Sequence, residues 1–358
     1  MQWQVSVKYS ENNYLGKWAG FQQTLLPLTG RKRSYEKGNR LIGKVYKEYK
    51  KLFRQRQTSY EQLNKEDTIA LLKSGEFDVF HPTYYDDYFL DYLGNKPFVL
   101  TVHDLIIQIF PEYFLGYTFV DKTKKILDRA DHLIAISEQT KKDLIDFFGI
   151  EENKITVIYH GCSLKRFSDK IGGACKLSLP DEYVLYVGNR GVYKNFYFAI
   201  QAIAGLLRNR PGLYLVCTGD LLNDHEIRYL DKLGIRSKIK QVFADETELP
   251  YLYTNAAALI YPTLYEGFGL PILEAFSCGC PVVCSRSSSL TEVGGDAVVY
   301  FNPKSNIDIL QSVEAILDNK TLRNSNIERG YQQLKKFTWL QSAALTEEVY
   351  QKVLRIDN

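Results

Sequence analysis

The sequence predicts an α/β chain built from two Rossmann-like domains facing a cleft, and three observations carry that prediction. The chain has 358 residues, more than one hydrophobic core serves comfortably, so two domains are the default. Short runs rich in Val, Ile and Leu alternate with helical patterns, the mark of parallel sheets covered on both faces. The alternation breaks once, at the aperiodic, glycine-containing "GCSLKRFSDKIGGACKLSLPDE", which reads as a linker. The expected division is a first Rossmann-like domain at 1–165, a second at 166–338, and a C-terminal helix at 339–358 free to pack back on the first domain.

The elements follow in order. "WQVSVKYS" reads as the opening strand. From Arg31 to Arg56 eleven Lys or Arg stand against Glu36 and Glu48, a balance of +9 that leaves −6 elsewhere against the chain's +3. Leu41, Val45, Tyr49, Leu52 and Phe53 recur there at helical spacing, which predicts a basic amphipathic helix. A solvated helix face is one reading of it; a docking surface for anionic lipid headgroups or a phosphorylated acceptor is the other. No nucleic-acid module accompanies the patch, so nucleic acid is not an expected partner. "FDVFHPT" (77–83), "PFVLTVHDL" (97–105), "HLIAIS" (132–137) and "ITVIYHG" (155–161) read as buried parallel strands. "SEQTKKDLIDFFGI" reads as a helix capped by Ser137, closed by Gly149, with Lys141 and Lys142 facing water. The second series is "YVLYVG", "LYLVCTG", "KQVFA", "ALIYPT", "PVVCS" and "AVVYF", and a final helix runs from about Trp339 to Leu354.

Composition narrows the class. The chain is 45% apolar and 24% charged, and no window approaches the ~18 uninterrupted apolar residues of a spanning helix. The start carries no signal-peptide pattern, and six cysteines in this length do not suggest a disulfide scaffold, so a cytoplasmic protein is expected. Cys278, Cys280 and Cys284 match no usual zinc spacing and read as small buried hydrophobes.

Ligands of doubly wound domains bind beyond the carboxyl ends of the strands, and three turns there have unusual residue choices. "YVGNRGVYKN" follows the first strand of the second series. Gly188 turns the backbone, and Arg190 and Lys194 offer two cations to a diphosphate, though a solvated pair is the competing reading. The loop is neither a G-x-G-x-x-G fingerprint nor a P-loop, which disfavours nicotinamide and Walker-type chemistry. "YEGFGLPILEAFSCGCPVV" is the second turn. Gly267 and Gly269 permit close backbone approach, Pro271 suits a first helical position, and the N–H groups of Phe268, Gly269 and Leu270 are expected to face the cleft. Glu266 and Glu274 flank this turn, and each ionised carboxylate can bind a pair of hydroxyls, as on a ribose and a sugar. The third turn, "TVHDL", sets His103 and Asp104 at a strand end, where a histidine can exchange a proton with a hydroxyl. His81 in "FHPTYYDD" sits similarly.

With these motifs in this order, joined by "HLIAISEQTKKDL" and "TEVGGDA", the chain resembles the retaining glycosyltransferases of family four, of GT-B fold, over about 77–339. The form "GNRGVYKN" resembles their mannosyltransferase-like members. The resemblance implies that Glu274 holds the ribose, that Glu266 lies by the donor sugar, that Arg190 and Lys194 bind the diphosphate, and that His103 is catalytic. It implies no metal and no cofactor beyond the nucleotide-sugar substrate, with GDP-mannose the first donor to test, and a glycan or lipid-linked acceptor. It also implies retained configuration by front-face attack, in cell-surface polysaccharide synthesis. The basic run itself, and not the resemblance, carries the expectation of contact with the inner face of an anionic membrane through residues 31–56.

One departure stands out. Family members usually open with a strand, a glycine-rich loop and a helix, and the sequence reads as starting at the next strand. A nucleotide-sugar-binding protein without turnover is therefore the alternative.

Overall fold

The structure, a computed structural model, describes residues 9–10, 24–25, 61–82, 84–114, 119–166 and 177–355. The basic run 31–56 and most of the expected opening strand lie outside the described residues. Two compact units divide the chain, residues 1–80 with 85–97, and residues 81–84 with 98–358.

In the first unit β1 (Tyr9–Ser10) pairs in parallel with β2 (Thr24–Leu25), and α1 covers residues 61–74. The expected strand at 77–83 contracts to one bridging residue, Phe80, whose N–H donates to the Pro97 carbonyl at 3.0 Å. Pro82 has no N–H to extend a ladder there.

The second unit holds two wholly parallel sheets. A three-stranded sheet takes β3 (Val99–Val102), β4 (His132–Ala135) and β5 (Ile155–Val157) in that order. Its helices are α2 (Ile106–Ile109), α3 (Phe119–Arg129) and α4 (Glu138–Phe148). The Ser137 hydroxyl accepts from Thr140 N–H, and Gly149 closes α4 in the left-handed conformation, φ 65°, as the cap pattern requires. Lys141 does not simply face water: its ammonium lies 2.8 Å from Glu152.

The six-stranded sheet comprises β6 (Glu182–Tyr186), β7 (Leu213–Cys217), β8 (Ile239–Gln241), β9 (Ala258–Tyr261), β10 (Val282–Ser285) and β11 (Val299–Phe301), in the order β11-β10-β9-β6-β7-β8. Period-two alternation sorts its side chains into two cores. Tyr183, Leu185, Leu259 and Val282 join one, with α7 (Leu249–Asn255), α8 (Leu270–Cys278) and α9 (Leu290–Gly294). Val184, Tyr186, Ala258 and Val283 join the other, with α5 (Phe196–Asn209), α6 (Asp224–Lys232) and α10 (Asn306–Asp318). Strands buried on both faces must be apolar throughout, which is why they read as continuous runs. Cys278, Cys280 and Cys284 are fully buried in the first core.

α11 (Lys320–Leu334) leads to α12 (Trp339–Leu354), which packs on the three-stranded sheet. Its Tyr350 hydroxyl meets His81 Nδ1 at 2.5 Å, and its Ser342 hydroxyl donates to the Tyr159 carbonyl. Gly161 makes room for its first turn, since a Cβ there would lie 2.2 Å from Trp339 N.

Candidate functional site

In the six-stranded sheet β6 and β9 are neighbours, with β7 and β8 on one side and β10 and β11 on the other. Loops leaving the carboxyl ends at such a reversal diverge and open a crevice. The glycine-rich motifs are those loops, 188–194 after β6 and 265–270 after β9. Gly188 turns at φ 118° with its N–H donating to Thr218 Oγ1 at 3.2 Å. Tyr193 ties the loops together, its carbonyl accepting from Leu264 N–H at 2.7 Å and from the Thr263 hydroxyl at 3.1 Å.

Beside that tie Lys194 Nζ lies 2.6 Å from Glu266 Oε1, the two side chains only 15% and 11% exposed. Attraction at that depth is strong because little water screens it. Glu266 is held from both sides by the turn after β10. Its N–H donates to Ser288 Oγ at 3.0 Å, and the Ser289 hydroxyl is shared between the carbonyls of Glu266 and Phe268, at 2.9 Å each.

Two glycines do steric work here. A Cβ on Gly267 would lie 1.9 Å from the His103 carbonyl oxygen, so this loop touches the end of β3. Gly269 has φ 109° and precedes α8, and a Cβ there would lie 2.7 Å from Leu290 Cδ2. Leu270 opens α8, so Pro271 is its second residue and not its first. Glu274 sits one turn in, where the Tyr253 hydroxyl donates to its Oε2 at 2.7 Å. Burial pushes the Glu274 carboxyl up, and that hydrogen bond opposes the shift.

His103 follows β3, and its ring centroid is 5.7 Å from that of His160, which follows β5. Burial pulls His103 below the ordinary range, Asp104 partly opposing. Burial, with His103 adding, takes His160 down to about 4. Both imidazoles are neutral at pH 7 and can donate and accept. His160 also packs edge-on against the buried Phe268, centroids 5.5 Å apart.

The structure thus gathers His103, Lys194, Glu266, Phe268 and Gly269, with Leu270 and Glu274 along α8. Arg190 differs from expectation. Its side chain is 5% exposed, with Nε 2.6 Å from Glu226 Oε1 and Nη2 donating to the carbonyls of Asp220 at 2.6 Å and Leu221 at 3.1 Å. Its Nη1 is buried without a hydrogen bond. Arg190 is therefore not solvated: Glu226 and the turn after β7 hold it. Glu226 captures it while also closing the capping box of α6, a local role that hid the long-range one. His81 is structural too: both ring nitrogens are engaged, by Tyr350 and by Thr101 Oγ1 at 2.8 Å, and burial lowers it to about 4.

Sequence reasoning missed His160, Tyr253, Ser288 and Ser289. His160 carried the same strand-end signal as His103 and was findable. Tyr253 had none, because it acts on Glu274 across a helix pair.

Residues 174–333 match the family described as glycosyl transferases group 1, and residues 15–166 match glycosyltransferase family 4. O-antigen chain mannosyltransferase B of Escherichia coli is 32% identical over 268 residues, 70% of this chain and 69% of that protein. Sucrose-phosphate synthase from Thermosynechococcus elongatus aligns with a TM-score of 0.68 at 19% identity, over 82% of this chain and 79% of that one. Anabaena HepE in complex with UDP-glucose gives 0.65 at 17%, over 80% and 82%. These two show the fold, the GT-B class of parallel sheets in two α/β domains. Sequence and fold agree that the chain belongs to the group 1, family-four glycosyltransferases.

Proposed function

We propose that the chain is a retaining hexosyltransferase acting from a nucleotide-diphosphate sugar onto a glycan or lipid-linked acceptor, in cell-surface polysaccharide synthesis. GDP-mannose is the first donor to test, a choice supported by the mannosyltransferase relative. The observation that carries the reading is the buried Lys194–Glu266 pair at the β6/β9 reversal, set against the backbone of His103.

In this reading Lys194 and the N–H groups of Phe268, Gly269 and Leu270 at the start of α8 receive the diphosphate. Glu274, held by Tyr253, takes the ribose hydroxyls, and Glu266 takes hydroxyls of the sugar. Neutral His103 hydrogen-bonds a hydroxyl at the reacting centre. The bond from the sugar C1 to the diphosphate oxygen breaks while the acceptor oxygen bonds C1 from the same face. The acceptor's proton passes to the departing phosphate oxygen. Lys194 and the helix terminus stabilise the charge that develops there, so the reaction needs no metal ion. Arg190 contributes indirectly, by pinning the turn after β7. Among the described residues no helix is long and apolar enough to cross a membrane. We place the protein in the cytoplasm, with residues 31–56 as its contact to an anionic inner leaflet.

The test is incubation of the full chain with GDP-mannose, UDP-glucose and related donors, with and without oligosaccharides, following the anomeric configuration by NMR. Transfer or slow donor hydrolysis with retention is expected. Donor binding with no turnover across the panel would move the chain to the binding-protein reading, and no donor binding at all would sink both.

A further inference from the structure

A row of aromatic side chains begins beside the Lys194–Glu266 pair, at Tyr193. Phe110, in the turn after α2, lies nearly parallel to Tyr113, centroids 5.8 Å apart and planes at 22°. It also lies nearly parallel to Tyr193, at 6.4 Å and 23°. Tyr265 meets Phe110 edge-on at 6.5 Å. The main chain at the Tyr193 end is tied down, because its carbonyl takes bonds from Thr263 and Leu264. This is also the reactive end, since Lys194 Nζ stands 5.2 Å from the Tyr193 ring centroid. The far end is open: Tyr113 is 43% exposed, while Phe110 and Tyr193 are half-buried.

We propose that the row Tyr113–Phe110–Tyr193 is an acceptor subsite that takes a pyranose ring of a glycan. The proposal rests on the glycosyl-transfer reading above. Scattered exposed apolar side chains need no explanation, but three co-oriented rings leading to a reacting centre do. A pyranose has an apolar C–H face and a rim of hydroxyls. Ring faces match the first, and tyrosine hydroxyls and carboxylates match the second. Asp104, next to His103, lies within electrostatic range of Tyr193, and Glu112 stands exposed between Phe110 and Tyr113 in the chain. An acyl chain would be better served by flexible aliphatic side chains, which this row lacks.

The experiment is saturation-transfer NMR on the full chain with methyl trisaccharides of manno, gluco and galacto configuration, and separately with GDP-mannose and UDP-glucose. Tyr113→Ala, Tyr113→Phe and Phe110→Leu are compared with the wild type. At least one trisaccharide is expected to bind through its C–H face, about tenfold more weakly in Tyr113→Ala and at near wild-type strength in Tyr113→Phe. Nucleotide-sugar binding should not change in Tyr113→Ala. Saccharide binding untouched by Tyr113→Ala and Phe110→Leu overturns the subsite. So does loss of nucleotide binding instead, which would make the row a platform for the donor base, or nucleotide sugars binding where no trisaccharide does. Trisaccharides bound at the row with no nucleotide sugar bound would keep the subsite and reject the donor reading.

Discussion

Replacing Gly267 by alanine adds one carbon where the structure has no space for it. The new Cβ would lie 1.9 Å from the His103 carbonyl oxygen, 3.0 Å from its carbon and 2.9 Å from Asp104 Cβ. The first two are backbone atoms, so no rotamer change relieves them. Tolerable C···O contacts begin near 3.3 Å, so the segments must part by about 1.4 Å. The retreat carries Glu266 and Phe268 away from His103. Overpacking of this kind costs about 1–3 kcal/mol of stability. A misplacement above 1 Å at reacting groups costs about 100-fold in rate, equivalent to about 2.7 kcal/mol in the barrier. The assay pairs chemical denaturation with kcat/KM for donor hydrolysis or transfer. Gly205→Ala in α5 is the control, because a Cβ there meets nothing within 4 Å, and it should gain about 1 kcal/mol from helix propensity. A Gly267→Ala protein matching the wild type in both stability and kcat/KM would show that the loop after β9 does not touch the end of β3.

Three further predictions follow from the same contacts. Lys194→Met strands the Glu266 carboxylate in a buried site and should cost about 3–5 kcal/mol of unfolding free energy, read from a lowered denaturation midpoint, with donor KM raised; an unchanged midpoint would mean the pair is solvated. Tyr253→Phe removes the hydroxyl that orients Glu274 and should weaken nucleotide binding about tenfold, read by calorimetry with GDP; equal affinity would detach Tyr253 from the site. His81, held at about 4 by burial, stays neutral in the fold while the unfolded chain protonates near 6.5. Its share of stability is therefore present above pH 6.5 and lost as pH falls through about 4. His81→Gln should make stability between those limits shallower by up to about 1.4 kcal/mol per pH unit, and identical slopes would contradict that.

The two sheets were legible because buried parallel strands must be apolar along their whole length, as in "HLIA" and "ALIY". The capped helix α4 was legible because Ser137 and Gly149 satisfy orphan groups locally. Strand-end reasoning located Glu266, Lys194 and His103, but their pairing was not visible. Lys194 and Glu266 stand 72 positions apart, and only the order of β6 and β9 brings them together. The partner of Arg190 was hidden for a related reason. The fate of Arg190 depends on Glu226, 36 residues on, whose neighbours announce nothing more than a helix cap. The segment at 77–83 failed as a strand because composition suggests apolar burial but cannot supply a partner edge.

On the proposed reading, the two cations near the reversal have different parts. Arg190 has three carbonyl or carboxylate partners, whereas Lys194 is bound to one carboxylate. On the proposed reading an arriving diphosphate competes with Glu266 for Lys194 and frees Glu266 to accept sugar hydroxyls. The ion pair then acts as a stand-in for the donor, and its exchange selects ligands that carry both a diphosphate and a sugar. Glu266→Gln separates the two functions. Without a competing carboxylate, free GDP should bind the variant as tightly as the wild type or more tightly. GDP-mannose should lose any advantage over GDP, because an amide accepts fewer and weaker hydrogen bonds from hydroxyls. Calorimetry with both ligands decides it. If Glu266→Gln weakens GDP and GDP-mannose to the same degree, Glu266 is a scaffold for Lys194 and not a reader of the sugar.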